Sequence, residues 1–318
     1  MTGWSVLANA SAGSADAASI RCAAGVLAET APVSLVWMDD DGELDEALDD
    51  ARAADATVVA AGGDGTVHRV VNRLARRAEL DRPIAVLPAG TGNDLARGCG
   101  LALDPVEVAN GLRHHVVRPM TALAVEGRSE DLGDAAIDRW AVNNVHLGVG
   151  IEAADVADGL KPRIGHLAYP VGTVVRGMAS DGIEIVIEVD ARPIFDGRAL
   201  AVVVATGPSG GGGHEIAADA SPHAPGVEVV VVPLTSVAGR LRLAAGAIRR
   251  PLSELPNVIT AMGTEVSLRG ADLRIDVDGE RYDAGDTVQL TAMSRAWSLL
   301  VPDGAHTGAQ TEATDRAD

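Results

Sequence analysis

Residues 55–66 read DATVVAAGGDGT, a β-type run from Asp55 to Ala61 that ends in Gly62-Gly63-Asp64-Gly65-Thr66. A plain turn needs one or two glycines to reach positive φ. Three glycines around one carboxylate call for another reason. The backbone N–H groups of a glycine loop, with a helix N-terminus behind them, form an anion site that a phosphate can approach closely. An aspartate there repels phosphate unless a Mg²⁺ ion or ordered water lies between, and Mg²⁺ is usually held by one or two carboxylates plus substrate phosphates. The competing reading is that Asp64 caps the following helix, which explains one residue and not three glycines.

Working outward, the first ~120 residues repeat strand, glycine loop and helix. Strands are expected at Trp4–Ala8, Val33–Trp37, Asp55–Ala61 and Pro83–Leu87, with helices at Ala15–Thr30, Glu43–Ala54, Val67–Ala78 and Leu95–Arg97. Val67, Val70, Val71 and Leu74 share one face of the third helix. Such alternation implies a parallel sheet with right-handed crossovers, whose ligands bind beyond the carboxyl ends of the strands. The loops Asn9-Ala10-Ser11-Ala12-Gly13, Gly62–Thr66 and Pro88-Ala-Gly90-Thr91-Gly-Asn93-Asp94 all sit at such ends. Thr91 and Asn93 offer neutral donors for phosphate or ribose, and Asp94 either caps a helix or sits near the metal.

After about residue 120 strand-like runs dominate: 121–126, 140–144, 183–189, 200–205, 227–232, 258–268, 273–277 and 288–290. Turn signals such as Val277-Asp-Gly-Glu280 separate them, which reads as a mostly antiparallel β-sandwich domain. Helical inserts at 164–179 and 236–249 interrupt it. A last strand, 296–301, returns to the first domain. The expected division is 1–120 with 294–302, an α/β Rossmann-like nucleotide domain; 121–293, a β-sandwich domain; and 303–318, a polar flexible tail.

Composition narrows the function. Of 318 residues, 47% are apolar and 2% aromatic, so a Val, Leu, Ile and Ala core is affordable. The formal net charge of −19 argues against nucleic-acid binding, which wants basic surface. It also argues against broad adhesion to an anionic membrane, while leaving room for a local basic patch. Cys22 and Cys99 stand far apart without a Cys-x-x-Cys, and read as buried small hydrophobes in a reducing cytosol. There is no signal-peptide pattern at the N-terminus and no run of eighteen apolar residues, so a soluble, cytoplasmic chain without a transmembrane segment is expected. The single lysine, Lys161, follows no glycine loop. A P-loop and a protein-kinase site both need one, so a phosphate site here relies on backbone amides, arginine or metal.

Gly-Gly-Asp-Gly-Thr, followed about twenty residues later by Pro-Ala-Gly-Thr-Gly-Asn-Asp-Leu-Ala-Arg, resembles the diacylglycerol kinase catalytic-domain family, which includes bacterial soluble lipid kinases and sphingosine kinases. Asn9–Gly13 resembles its nucleotide loop. Asn143 with Gly148–Gly150, Gly165–Tyr169, Gly211–Gly213 with Asp219-Ala220, and Asp278-Gly279-Glu280 resemble its later segments. The resemblance implies an α/β nucleotide domain and a β-sandwich, with the site in the cleft between them. ATP would lie on Asn9, Ala10, Ser11, Ala12, Gly13, Gly63, Asp64, Gly65, Thr66, Gly90, Thr91 and Asn93. Asp64 would hold Mg²⁺, and Glu280 would take the proton from the hydroxyl of diacylglycerol or a related lipid. Other acceptors, such as a sphingoid base or a polyprenol, and a nucleotide-binding module that has lost catalysis, are the alternatives. The lipid is expected at a membrane surface, met transiently, with the apolar stripe of 164–175 lying on the membrane, lining an acyl pocket or packing in the core. An exposed edge strand would offer a homodimer contact.

Several positions depart from the family pattern. His68-Arg69 stand where Asn-Glu is usual, Thr121 lies near where many members carry an aspartate, and Thr206-Gly207 replaces Asn-Gly. His223-Ala-Pro-Gly226 replaces an Asp-Asp-Gly loop that holds a structural Mg²⁺ in bacterial members, so no such metal is expected here. Arg69 either pairs with a phosphate or is a solvated helix residue.

Overall fold

The computed structural model describes residues 2–10, 13–128, 137–148 and 180–304. The chain forms two compact units, one running to Met120 and resuming at Arg295, the other Thr121–Ser294.

In the first unit, β1 (Gly3–Asn9), α1 (Ser14–Ala28), β2 (Val33–Met38), α2 (Asp41–Ala53), β3 (Ala56–Gly62), α3 (Asp64–Arg76) and β4 (Ala85–Pro88) alternate. The four strands make a parallel sheet in the order β2-β1-β3-β4. Central β1 and β3 are buried almost throughout, as strands covered on both faces must be. Two short helices follow, α4 (Asp94–Gly98) and α5 (Pro105–Gly111). The returning chain pairs with this unit, where Ile84 N donates to Ser298 O and Leu300 N donates to Ile84 O.

Helix α3 starts at Asp64, three residues before the expected Val67. Asp64, Gly65 and Thr66 therefore form its first turn and not a loop, with Gly63 as N-cap, whose carbonyl accepts from Thr66 N and Val67 N. Its apolar face is the expected Val67, Val70, Val71 and Leu74, joined by buried His68 and Asn72. The opposite face meets α2 through charge: Asp41, Asp45 and Asp49 face Arg69, Arg73 and Arg77, each set spaced by four residues. Arg69 is thus an ion-pair partner of Asp41, at 2.8 Å. The expectation that both cysteines are buried holds only for Cys99; Cys22 lies on an exposed part of α1. Burial pushes the Cys99 thiol up to about 12.

The second unit is antiparallel. Strand β5 (His115–Arg128) leads into it, followed by β6 (Ile137–Ala141), β7 (Asn144–Gly148), β8 (Ile183–Val189), β9 (Arg192–Ala205), the short pair β10 (Ser209–Gly210) and β11 (His214–Glu215), β12 (Val227–Pro233), α6 (Val237–Ala247), β13 (Ile259–Gly263), β14 (Glu265–Val277) and β15 (Glu280–Pro302), which leads out again. Among the described residues nine strands form one hydrogen-bonded sheet. Their inward side chains share one core that includes Ile185, Val204, Val229, Leu268 and Ile275, so the sheet curls around its own apolar face. The run expected as one strand over 258–268 is broken at Thr264, because Thr264 N and Glu265 N turn to the Asp190 carboxylate. The insert expected over 164–179 and the tail beyond 304 lie outside the described residues. Among the described residues no helix is long and apolar enough to cross a membrane.

Candidate active site

The parallel sheet brings the three glycine segments to one edge. Register pairs Ala8 with Ala61 and Gly62 with Pro88, so the chain leaves β1, β3 and β4 side by side. Helices α2 and α5 begin with carboxylate caps, Asp40 accepting from Glu43 N and Asp104 from Val106 N. Helices α1 and α3 begin at Gly13 and Gly63, and neither N-cap makes a side-chain cap bond. A glycine N-cap gives these first N–H groups no side-chain acceptor of its own, and at α3 the Thr66 N–H donates to Gly63 O at 3.0 Å.

The glycines differ in purpose. A Cβ on Gly62 would lie 2.3 Å from Thr66 Oγ1. A Cβ on Gly90 would lie 2.4 Å from the Cα of Gly63, so these two backbones touch and only glycine permits it. Gly65 is exposed, and a Cβ there would meet no atom within 4 Å.

Asp64 reaches sideways. Its carboxylate accepts from Asp94 N and Leu95 N, 3.0 Å each, and so caps α4 and not its own helix. Asn93, with φ 54°, uses both ends of its amide on Gly90, Oδ1 accepting from Gly90 N at 3.0 Å and Nδ2 donating to Gly90 O at 2.9 Å. That amide shapes the loop on which Thr91 sits. Thr91 is exposed and Asn9 ends β1. Ser11 and Ala12 lie outside the described residues. Among the described residues no three His, Cys, Asp or Glu side chains cluster as a metal site. A Mg²⁺ at Asp64 would therefore complete its shell with phosphate oxygens and water, which is how Mg²⁺ is commonly bound.

In the second unit, Asp278 and Gly279 turn β14 into β15 with φ 49° and 97°, the positive pair that a type I′ hairpin requires. The Asp278 carboxylate accepts from Val142 N, Asn143 N and Asn144 N at 2.6, 3.0 and 2.8 Å. Beneath the turn Gly279 N donates to Asp276 Oδ1 at 2.7 Å. Burial pushes the Asp276 carboxyl up, against the pull of His146 and the nearby Arg281. Glu280, exposed, opens β15 on this pinned turn. The Tyr282 hydroxyl donates to Glu280 Oε2. Arg139 Nε donates to that hydroxyl oxygen at 3.1 Å, with its guanidinium 5.7 Å from the tyrosine ring centre. Burial and the Glu280 contact push the Tyr282 phenol up, while Arg139 opposes. Tyr282 and Arg139 were not among the expected site residues. The signal for Tyr282 was available, since residues two apart on a strand share a face. Arg139, from β6, had none.

Residues 3–125 match the family model "Diacylglycerol kinase catalytic domain", and residues 143–299 match "YegS C-terminal NAD kinase beta sandwich-like domain". A protein of Xanthomonas euvesicatoria named "Probable lipid kinase YegS-like" is 30% identical, over 72% of this chain and 73% of its own. The chain belongs to the diacylglycerol kinase catalytic-domain family. The Bacillus subtilis "Diacylglycerol kinase" is 28% identical over 70% of each chain. In fold, the chain is similar to a diacylglycerol kinase from Bacillus anthracis (TM-score 0.69, 17% identity, 96% of this chain and 98% of that one). It is also similar to yeast NADH kinase (TM-score 0.53, 14% identity, 97% and 86%).

Where this diacylglycerol kinase family member departs from the family pattern, the structure shows what replaces it. Thr121 is buried, its N–H donating to Pro222 O at 2.8 Å and its hydroxyl to Ala224 O at 2.5 Å. The threonine thus binds the 222–224 loop directly. Thr206 is fully buried and its hydroxyl donates to the carbonyls of Val142 and Asn143, 3.0 Å each. It secures the same corner that Asp278 pins. Gly150 and the segment 165–169 lie outside the described residues.

Proposed function

We propose that this chain transfers the γ-phosphoryl group of ATP to the hydroxyl of diacylglycerol or a related lipid. The observation that carries the reading is the pair of helix N-termini at Gly13 and Gly63 without N-cap side-chain bonds, beside an exposed Gly65 whose lack of a side chain no protein contact requires. Such N-termini favour anionic phosphates. The names of the relatives support the lipid acceptor.

In this reading Asn9–Gly13, the first turn of α3 and the Gly90–Asn93 loop bind the nucleotide, the last through backbone and Thr91. Bound at Asp64, Mg²⁺ would supply charge neutralisation on the phosphates. Glu280 takes the acceptor proton as the hydroxyl oxygen bonds to the γ-phosphorus and the bond to the ADP oxygen breaks. Phosphoryl transfer asks a protein mainly for positioning and electrostatics, and a base within reach of the oxygen suffices. Tyr282 and Arg139 hold the base in place.

The test is phosphorylation of a lipid panel (diacylglycerol, monoacylglycerol, ceramide, sphingosine, polyprenol) with ATP and Mg²⁺, alongside Asp64→Asn and Glu280→Gln. One lipid turned over, and lost in both folded variants, supports the reading. ATP binding without turnover of any lipid overturns it in favour of a nucleotide-binding module.

A further inference from the structure

Helix α6 has two unlike apolar sides. At about 100° per residue, Gly239, Leu243 and Gly246 share one side, and this side meets the protein. Leu243 packs against the cluster of Leu200 and Val232, and a Cβ on Gly246 would lie 2.7 Å from Leu255 Cδ2. The opposite side carries Val237, Leu241 and Ile248, which are 53%, 49% and 79% exposed. No residue of the helix is buried. By the same rule Arg240 and Arg249 lie about 80–100° to either side of the exposed stripe, Arg242 lies about 120° from it, and Arg250 falls on the protein-facing side; no acidic residue occurs from Val237 to Arg250, in a chain of net charge −19. Arg240 is held by Thr235 O and Ser180 O. Arg242, Arg249 and Arg250 are exposed.

We propose that α6 docks this protein on an anionic lipid surface, with Val237, Leu241 and Ile248 entering the acyl boundary and the arginines meeting lipid phosphates. Scattered exposed apolar residues are ordinary, but an aligned stripe flanked by arginines is the pattern of helices that lie in a membrane interface. Charge complementarity selects anionic lipid, since this is a basic segment on an acidic body. A second copy is the poorer occupant. Three side chains cover far less than the roughly 800 Å² per partner of a stable interface. The proposal deepens the lipid-kinase reading and rests on it for its purpose, yet it is tested without turnover.

The test is co-sedimentation of the full chain with phosphatidylglycerol–phosphatidylcholine vesicles and with phosphatidylcholine alone, in the absence of ATP. Variants are Leu241→Glu with Ile248→Glu, and single Arg242→Gln and Arg249→Gln, with circular dichroism confirming the fold. Binding to the anionic vesicles is expected, at least about tenfold stronger than to neutral ones. The stripe variant should lose it by a similar factor, and each arginine variant should weaken it about fivefold. Wild-type binding that ignores anionic lipid, or a stripe variant that binds as wild type, overturns the proposal. So does light scattering that shows a wild-type dimer and a monomeric stripe variant, which would assign the face to a second copy. Activity on a dispersed short-chain acceptor that survives loss of vesicle binding leaves the kinase reading standing.

Discussion

Asp64 and Leu95, thirty-one residues apart, are joined by a 3.0 Å hydrogen bond from the Leu95 backbone to the Asp64 carboxylate, and Asp94 N makes the same bond to the other oxygen. The aspartate of the second glycine segment is therefore the N-terminal cap of the helix that follows the third. Asp64→Asn keeps one acceptor oxygen and loses the charge. Cap losses typically cost about 1 kcal/mol, which lowers Tm by roughly 3 °C. If Asp64 also holds Mg²⁺, activity falls at least about a hundredfold, far beyond what that stability loss explains. Thermal melts and kcat on the same preparation separate the two roles. Activity that merely tracks stability would remove the metal role.

The glycines make a paired test. Gly90→Ala drives a methyl group into the Gly63 backbone, and overpacking of this kind costs about 1–3 kcal/mol. Gly65→Ala meets nothing and sits in the first turn of α3, where alanine is preferred to glycine by up to about 1 kcal/mol. Gly65→Ala is expected to keep or raise Tm while weakening ATP binding, measured by calorimetry. Unchanged ATP affinity would take Gly65 out of the nucleotide site.

These outcomes also show where the sequence was legible. The alternation of apolar runs with glycine loops located all four parallel strands, because period and turn chemistry are local. The start of α3 was misplaced because Gly63, with no side chain, serves as N-cap, and nothing local announces a helix that opens Asp-Gly-Thr. Helix α5 went unread although Asp104-Pro105 is a cap followed by proline at the first helical position, a usable signal. The partners of Asp64 and Asp278 were not legible at all. Each carboxylate binds backbone N–H groups far away in sequence, and a backbone donor leaves no mark on residue type.

The Asp45 carboxyl is held below its ordinary value by the hydrogen bond from Arg73 and the charges of Arg73 and Arg77. Its folded pKa is depressed, so the stability it contributes is present above the unfolded value near 4. That contribution is lost as pH falls through the folded one. Asp45→Asn should cost about 0.5–1 kcal/mol at pH 7, as for partly exposed pairs. Denaturant melts of the two proteins should then converge as pH drops below about 4. A constant gap at all pH values would show that packing, not charge, is what the variant removes.

Metal removal bears on the Thr121 corner. A threonine bonded directly to Ala224 O needs no ion to bridge it to the loop. Excess chelator, in the absence of nucleotide, is therefore expected to leave Tm unchanged within about 1 °C, whereas a structural ion adds stability that its removal takes away. A clear fall in Tm would reveal a structural ion held by other groups.

Tyr282 gives the sharpest test of the base. Its hydroxyl donates to Glu280 and accepts from Arg139, and a donor to a carboxylate favours the charged form, the form that would accept a proton in the proposed reaction. Tyr282→Phe removes that donor and the acceptor of Arg139 Nε, while ring packing is kept. The acidic limb of the kcat/KM profile should move to higher pH, and kcat at neutral pH should fall by about tenfold or less, because Glu280 itself remains. Arg139→Gln should move the limb less, as it acts on the carboxylate only through the tyrosine. A purely structural role for Tyr282 would lower activity evenly at every pH. An unmoved acidic limb in Tyr282→Phe would therefore disconnect this pair from proton transfer and, if Glu280→Gln also stayed active, would send the search for the base elsewhere.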